Sequence, residues 1–379
     1  MESNEGARIV SSNARYEQTA ATDENEAEDS HRYTHTITIG EQSIPHGSRY
    51  RLLVPVLDGN ELDESERIVR TAATIARARE GDLLILSLVD VLKQTPYEII
   101  TPDHRRVEAA HEATERLLGV AREAAIPANA IVELTHRSER SISDVADRHG
   151  CDGVFMPVEA GRSQRRRLLG GDAVETIVSQ AETDVFVEET GTHETSPDRI
   201  LLAVSGGPHS GLAIETARSL AIGSGARIDV VHSLEESATD EEWEQGATML
   251  RAAERLLQDV DRVDTHLLTV DDVTAAIVAR SEAYDVTVLG APTAGLLEQF
   301  VFSTVPDSVA QRSDNTVLMA KHRLGGSSRY HRWIAATPKR ESNRSRSTFY
   351  QLNHTIERGR PRRYSSEHRW FGVSFYIEV

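Results

Sequence analysis

Cysteine occurs once, at Cys151, which excludes a disulfide framework and a cysteine-rich zinc site. Lysine is nearly as scarce: Lys93, Lys321 and Lys339 stand beside 39 arginines. Long apolar runs are missing too. The longest, 83–89, has strand length and contains a serine, far short of the roughly 18 residues of a membrane-crossing helix. The opening Met1-Glu2-Ser3-Asn4-Glu5 is polar, unlike a secretory leader. These absences predict a soluble, cytoplasmic protein without a metal centre.

Negative charge is what the chain has in excess. Asp plus Glu number 60 against 42 Lys plus Arg, a net of -18 over 379 residues. Carboxylates hold water and counterions once salt screens their repulsion, so this composition predicts a halophilic source. The same charge argues against non-specific nucleic-acid binding by the central region.

The charge also divides the chain. Residues 1–48 carry nine acids and three arginines, a net of -6, and read as a disordered acidic head until about Ile44. Residues 327–379 carry eleven basic and four acidic residues, a net of +7, which leaves -19 for the middle. The basic tail, 323–379, also holds Trp333, Trp370, three Phe and four Tyr among runs such as Arg358-Gly359-Arg360-Pro361-Arg362-Arg363-Tyr364. Arginine neutralises phosphate and aromatic faces stack on bases, so nucleic-acid contact is conceivable for this tail alone. An extension arising by read-through or a frameshift accounts better for the abrupt change in composition.

The middle repeats itself. One unit opens at Arg51-Leu52-Leu53-Val54-Pro55-Val56 and the other at Arg199-Ile200-Leu201-Leu202-Ala203-Val204. Each is a short apolar run, the mark of a buried parallel strand. Helical faces follow, with Ile68, Val69, Ala72, Ile75 and Ala76 in one unit and Ala213, Ile214, Ala217, Leu220 and Ala221 in the other. Second strands are expected at 83–89 and 227–233, then helices at 103–125 and 241–260. Third strands follow at 130–135 and 264–270, helices at 141–149 and 272–283, and fourth strands at 153–158 and 286–290. A last helix, 172–181 or 305–312, precedes fifth strands at 184–187 and 316–320. Alternating strands and helices require right-handed crossovers. The expected fold is therefore α/β: two tandem, Rossmann-like, doubly wound domains of five parallel strands, 49–190 and 198–322, joined by the polar linker 191–197 as an intramolecular pseudo-dimer.

These residues resemble the universal stress protein family in its tandem, halophilic-archaeal form, over about 70% of the chain. Members carry Val-Asp-Gly-Ser at the end of strand one and His-Val at the end of strand two. Strand four runs into Met-Gly-x-x-Gly, then nine residues and Gly-Ser or Gly-Thr. The resemblance implies an adenine nucleotide such as ATP at the carboxyl ends of strands one and four, where a switch point in such a sheet places ligands. Glycines there let backbone N–H groups approach phosphate, and the next helix adds its dipole.

Both copies depart from that pattern. In the first, Met156 is followed by Pro157, Val158, Glu159 and Ala160, with Gly161 one place late and Gly170-Gly171 in place of Gly-Ser. Asp58 matches the strand-one acid displaced by one residue, and Arg162, Arg165, Arg166 and Arg167 crowd the loop. In the second, Gly290 survives, Thr293 replaces the next glycine, and Ser303-Thr304 supply the hydroxyl pair. Ser205 stands where the strand-one acid would be, with Gly206 after it, and Ser233 follows His232 in place of valine. Weak or vestigial nucleotide binding is expected.

The resemblance thus implies a non-catalytic regulator acting through protein contacts. One alternative is the regulatory module of a membrane transporter, since the family's domains also occur attached to transporters. Another comes from Ser205-Gly206-Gly207-Pro208-His209-Ser210, which is similar to the phosphate loop of ATP pyrophosphatases but has His209 in place of its acid. Asp271-Asp272 and Asp240-Glu241-Glu242 read as helix starts rather than metal ligands.

Overall fold

The computed structural model describes residues 14–20, 33–39, 49–57, 62–91, 105–136, 138–158, 177, 182–189, 196–206, 209–291 and 315–323. Two strands, β1 (Ala14–Ala20) and β2 (Tyr33–Ile39), precede the repeats. The first repeat contains β3 (Arg51–Leu57), α1 (Leu62–Arg77), β4 (Asp82–Asp90) and α2 (Arg105–Glu123), then β5 (Ala128–Thr135), α3 (Ser138–Arg148), β6 (Gly153–Val158) and β7 (Asp184–Glu189). The second contains β8 (Arg199–Ala203), α4 (Ser210–Ser224), β9 (Arg227–Glu235) and α5 (Asp240–Leu256). It continues with β10 (Val263–Val270), α6 (Val273–Ser281), β11 (Val286–Gly290) and β12 (Thr316–Lys321). The helices expected at 172–181 and 305–312 lie outside the described residues, apart from buried Ile177.

The strands lie in the order β1-β2-β5-β4-β3-β6-β7-β12-β11-β8-β9-β10. Within each repeat the third, second, first, fourth and fifth strands are neighbours, and all are parallel. The two five-stranded, doubly wound units are therefore both present. Their fifth strands, β7 and β12, pair antiparallel with Val187 opposite Met319. One sheet of twelve strands thus runs through both units.

The head departs from the expected disorder. Strand β1 pairs antiparallel with β2, and β2 with β5, Ile37 lying opposite Val132. Residues 33–39 are Tyr-Thr-His-Thr-Ile-Thr-Ile, rich in the β-branched types that favour strands. Acidic composition hid this short run.

Alternation along each strand feeds two core layers, because successive side chains point to opposite faces. Leu52 and Val54 pack with Ile68, Val69 and Ala72 of α1, whereas Leu53 packs with Ile142 and Val145 of α3. In the second repeat Ile200 and Leu202 join Ala213 and Ala217 of α4, while Leu201 packs with Tyr284 on the other face. Helices α1 and α4 lie against one another, so one layer is continuous across the junction. Helix starts follow the acids: Thr239 and Glu242 form a reciprocal capping box on α5, and Asp272 accepts from Ala275 N–H at 3.0 Å on α6.

Polar clamps hold the sheet rims and the junction. Buried Arg51 pairs with Asp82 at 2.7 Å. At the matching rim of the second repeat, Tyr284 donates to Asp229, which also pairs with Arg227 at 2.9 Å. Arg79, just past α1, lies 4.9 Å from the Tyr50 ring centre and 5.6 Å from that of Phe186. Its Nη2 reaches Glu215 of α4 at 3.4 Å, which ties the first repeat to the second.

Candidate functional site

Strands β8 and β11 are neighbours, and their carboxyl ends emerge together with Ala203 opposite Leu289. Here the chain leaves the first strand of the repeat for α4. Exposed Ser205 begins the loop. Gly206 follows with φ +77°, a left-handed conformation that favours glycine. A Cβ on Gly206 would lie 2.6 Å from both Sδ and Cε of Met249 in α5.

Gly290 closes the other side. A Cβ there would meet the carbonyl carbon of His209 at 3.0 Å and the nitrogen of Ser210 at 3.1 Å. Absence of a side chain therefore lets the end of β11 sit directly under the start of α4. His209 occupies the N-cap position of that helix without a side-chain cap hydrogen bond. The amino end of a 15-residue helix is thus brought to the strand ends, and its partial positive charge favours an anion.

Two histidines frame the loop. His232, buried in β9, contacts the Val204 carbonyl through Nδ1 at 2.7 Å. A carbonyl only accepts, so Nδ1 carries the proton; burial holds the ring's pKa below its ordinary value and keeps it neutral. Next to it, the buried Oγ of Ser233 has no hydrogen-bond partner among the described residues. His209 Nδ1 accepts the backbone N–H of His322 at 3.0 Å. Asp184 of the first repeat then takes the His322 ring Nδ1 at 2.8 Å and the Arg323 N–H at 3.1 Å.

Ser205, Gly206, Ser233 and Gly290 are thus placed at strand ends and loops of one rim of the second repeat. Thr293, Ser303 and Thr304 lie outside the described residues, as do Asp58, Gly161, Gly170 and Gly171 of the first repeat. Pro157, which cannot donate an N–H, is buried in β6 opposite Glu188. Among the described residues, no group of three or more His, Cys, Asp or Glu could hold a metal ion. Met249, His322 and Asp184 were not anticipated from sequence: each reaches the loop from a distant element, and none belongs to a local motif. Cys151 is buried and its thiol is pushed up to about 12 by desolvation, which suits a packing residue rather than a nucleophile.

A tandem of doubly wound units with a glycine-lined switch point defines a Rossmann-like class of protein. The profile described as "Universal stress protein family" matches residues 49–187 and 197–321, and the chain belongs to that family. Among solved structures it is similar to a universal stress protein from Archaeoglobus fulgidus DSM 4304, with 19% identity, 73% of this chain and 97% of that chain covered, and a TM-score of 0.48. It is also similar to the cytoplasmic domain of a prokaryotic cation chloride cotransporter, with 12% identity, 76% and 100% coverage, and a TM-score of 0.48. A third is the universal stress protein from Archaeoglobus fulgidus in complex with dAMP, with 16% identity, 36% and 96% coverage, and a TM-score of 0.28. No curated protein matches the chain. No helix among the described residues is long and apolar enough to cross a membrane.

Proposed function

We propose that this protein is a non-catalytic, cytoplasmic regulator that works through protein contacts and binds an adenine nucleotide weakly in its second repeat. The observation that carries this reading is the close approach of Gly290 to His209 and Ser210, which sets the amino end of α4 over the end of β11. The phosphates would lie at that helix end. The base would lie toward Gly206 and the unpartnered hydroxyl of Ser233. The proposed set is Ser205, Gly206, Ser233 and Gly290, extended by Thr293, Ser303 and Thr304 from the loop after β11. Weakness follows from the residues themselves: Ser205 offers no carboxylate to the base, and Met249 packs over the Gly206 backbone.

The acidic body, at -19, suits a salt-loaded environment. Contacts with partners are assigned to the two units, 49–190 and 198–322, with the acidic head and basic tail as extensions.

Calorimetric titration with ATP, AMP and cyclic AMP at high salt tests the reading. Dissociation constants on the order of 1 mM, or about 4 kcal/mol, are expected, with binding lost in Gly290→Val. Micromolar binding would refute the weak-site reading, and binding that survives Gly290→Val would refute the location. Turnover of ATP abolished by Ser205→Ala would overturn the non-catalytic assignment.

A further inference from the structure

A second site lies away from those loops. Beside α1, at the amino-terminal rim of the first repeat, an open cleft of about 400 Å³ is bounded by Arg49, Arg77, Arg79, Glu80 and the turn at 125–127. Its volume falls in the range of about 300–1,000 Å³ that small-molecule sites occupy. The chain as a whole has 60 acids against 42 bases, yet this cleft gathers three arginines against one glutamate. Arg49 and Arg77 come from different segments, and both are exposed. Neither side chain has a hydrogen-bond or ion-pair partner among the described residues.

Arg79 is held differently. The Tyr50 and Phe186 rings and Glu215 fix its guanidinium, so it supplies positive potential at the back of the cleft rather than a free hand. The N–H groups of the turn after α1 are occupied: Glu80 donates to the Arg77 carbonyl at 2.9 Å and Gly81 to that of Ala76 at 2.9 Å. Recognition therefore falls to the guanidinium groups. Helices α1 and α2 end at this rim, and each contributes roughly half a negative charge. With Glu215 against Arg79, and Glu80 and the helix ends against the rest, the cleft's capacity to hold an anion rests on the two unpaired guanidinium groups of Arg49 and Arg77.

Guanidinium groups match phosphate oxygens in paired, charge-assisted hydrogen bonds. We infer that this cleft binds a multiply charged phosphate, a di- or triphosphate chain held between Arg49 and Arg77 with Arg79 behind it. The inference does not rest on nucleotide binding in the second repeat, and the two sites can be separated experimentally.

Inorganic tripolyphosphate is titrated into the full chain at constant ionic strength, followed by calorimetry. Saturable binding at one site is expected, weakened at least about tenfold in Arg49→Ser/Arg77→Ser, since each removed guanidinium takes charge-assisted hydrogen bonds with it. Both side chains are exposed, so the double variant keeps its fold, which circular dichroism verifies. Tripolyphosphate binding that is lost in Gly290→Val and kept in the arginine variant would place it in the second repeat and overturn the cleft. A parallel titration with ATP shows whether a nucleoside on the phosphate chain is tolerated: binding that remains in Gly290→Val and falls in the arginine variant extends the site to nucleotides, whereas none restricts it to free polyphosphate. Either result keeps the cleft as a phosphate site. Absence of saturable tripolyphosphate binding, or a loss smaller than tenfold in the double variant, overturns the proposal.

Discussion

The His322 backbone donates to Nδ1 of His209 at 3.0 Å, so a residue just past β12 holds the loop that opens α4. Asp184, at the start of β7, in turn accepts from Arg323 N–H and meets the His322 ring, and Tyr50 donates to its second oxygen at 3.5 Å. One carboxylate of the first repeat thus fixes a loop of the second. Replacing Asp184 by Ala is expected to lower the free energy of unfolding by about 1–3 kcal/mol, because several donors lose their acceptor in a mostly buried site. Asp184→Asn, which keeps one accepting oxygen, recovers part of the loss. Urea unfolding of the three proteins measures both effects.

Gly206 supports a second prediction. Its left-handed φ and its contact with Met249 make separate demands. Gly206→Ala is expected to cost about 1–2 kcal/mol from the backbone alone, with a further cost from the clash with the thioether. Met249→Ala relieves only the clash. A double-mutant cycle should therefore give a coupling of about 0.5–1 kcal/mol, the double variant being less damaged than the sum of the singles. Strict additivity would show that Met249 does not press on the loop.

Buried His232 predicts a direction with pH. Its folded pKa is lowered from 6.5 chiefly by desolvation, so near and below that value the unfolded chain takes up a proton that the folded ring refuses. Its contribution to stability is complete above the unfolded pKa and is lost as pH falls. The urea midpoint should drop between about pH 7.5 and about pH 5, and the drop should be shallower in His232→Asn, which has no titrating ring. An equal slope in both proteins would contradict this account.

Cys151 offers a probe of global opening. It is 5% exposed, and burial pushes its thiol up to about 12. At about pH 8 the native thiol is protonated and covered, so a disulfide-exchange reagent should modify it only as fast as the chain unfolds. In denaturant the same single thiol should react at once. Fast reaction of the native protein would mean that the region around α3 opens locally.

Much of this architecture was legible because buried parallel strands are written as contiguous apolar runs. Leu83 to Val89 and Arg199 to Ala203 lie in strands β4 and β8. The helical face of Ile68, Val69, Ala72, Ile75 and Ala76 is buried as its spacing implies. Gly290 stands out in the sequence, and at the end of this fourth strand its missing side chain has a steric purpose. The partners of His209 were not readable. They come from residues 113 positions away and then a further 138 back along the chain, and no local pattern encodes such a pairing. The short β2 was missed for the opposite reason: its signal was local but sat in a segment dominated by acids.

The antiparallel pairing of β7 with β12 sets the two repeats head to tail across the sheet. Each repeat is parallel within itself, so the carboxyl ends of the strands in one unit share a rim with the starting ends of the other. Asp184 illustrates the result: it begins a strand of the first repeat yet fastens the loop at the carboxyl ends of the second. The arginine cleft at the start of the first repeat opens on that same rim. A substitution that looks like a remote change at the base of one unit is therefore a change beside the strand-end loops of its twin.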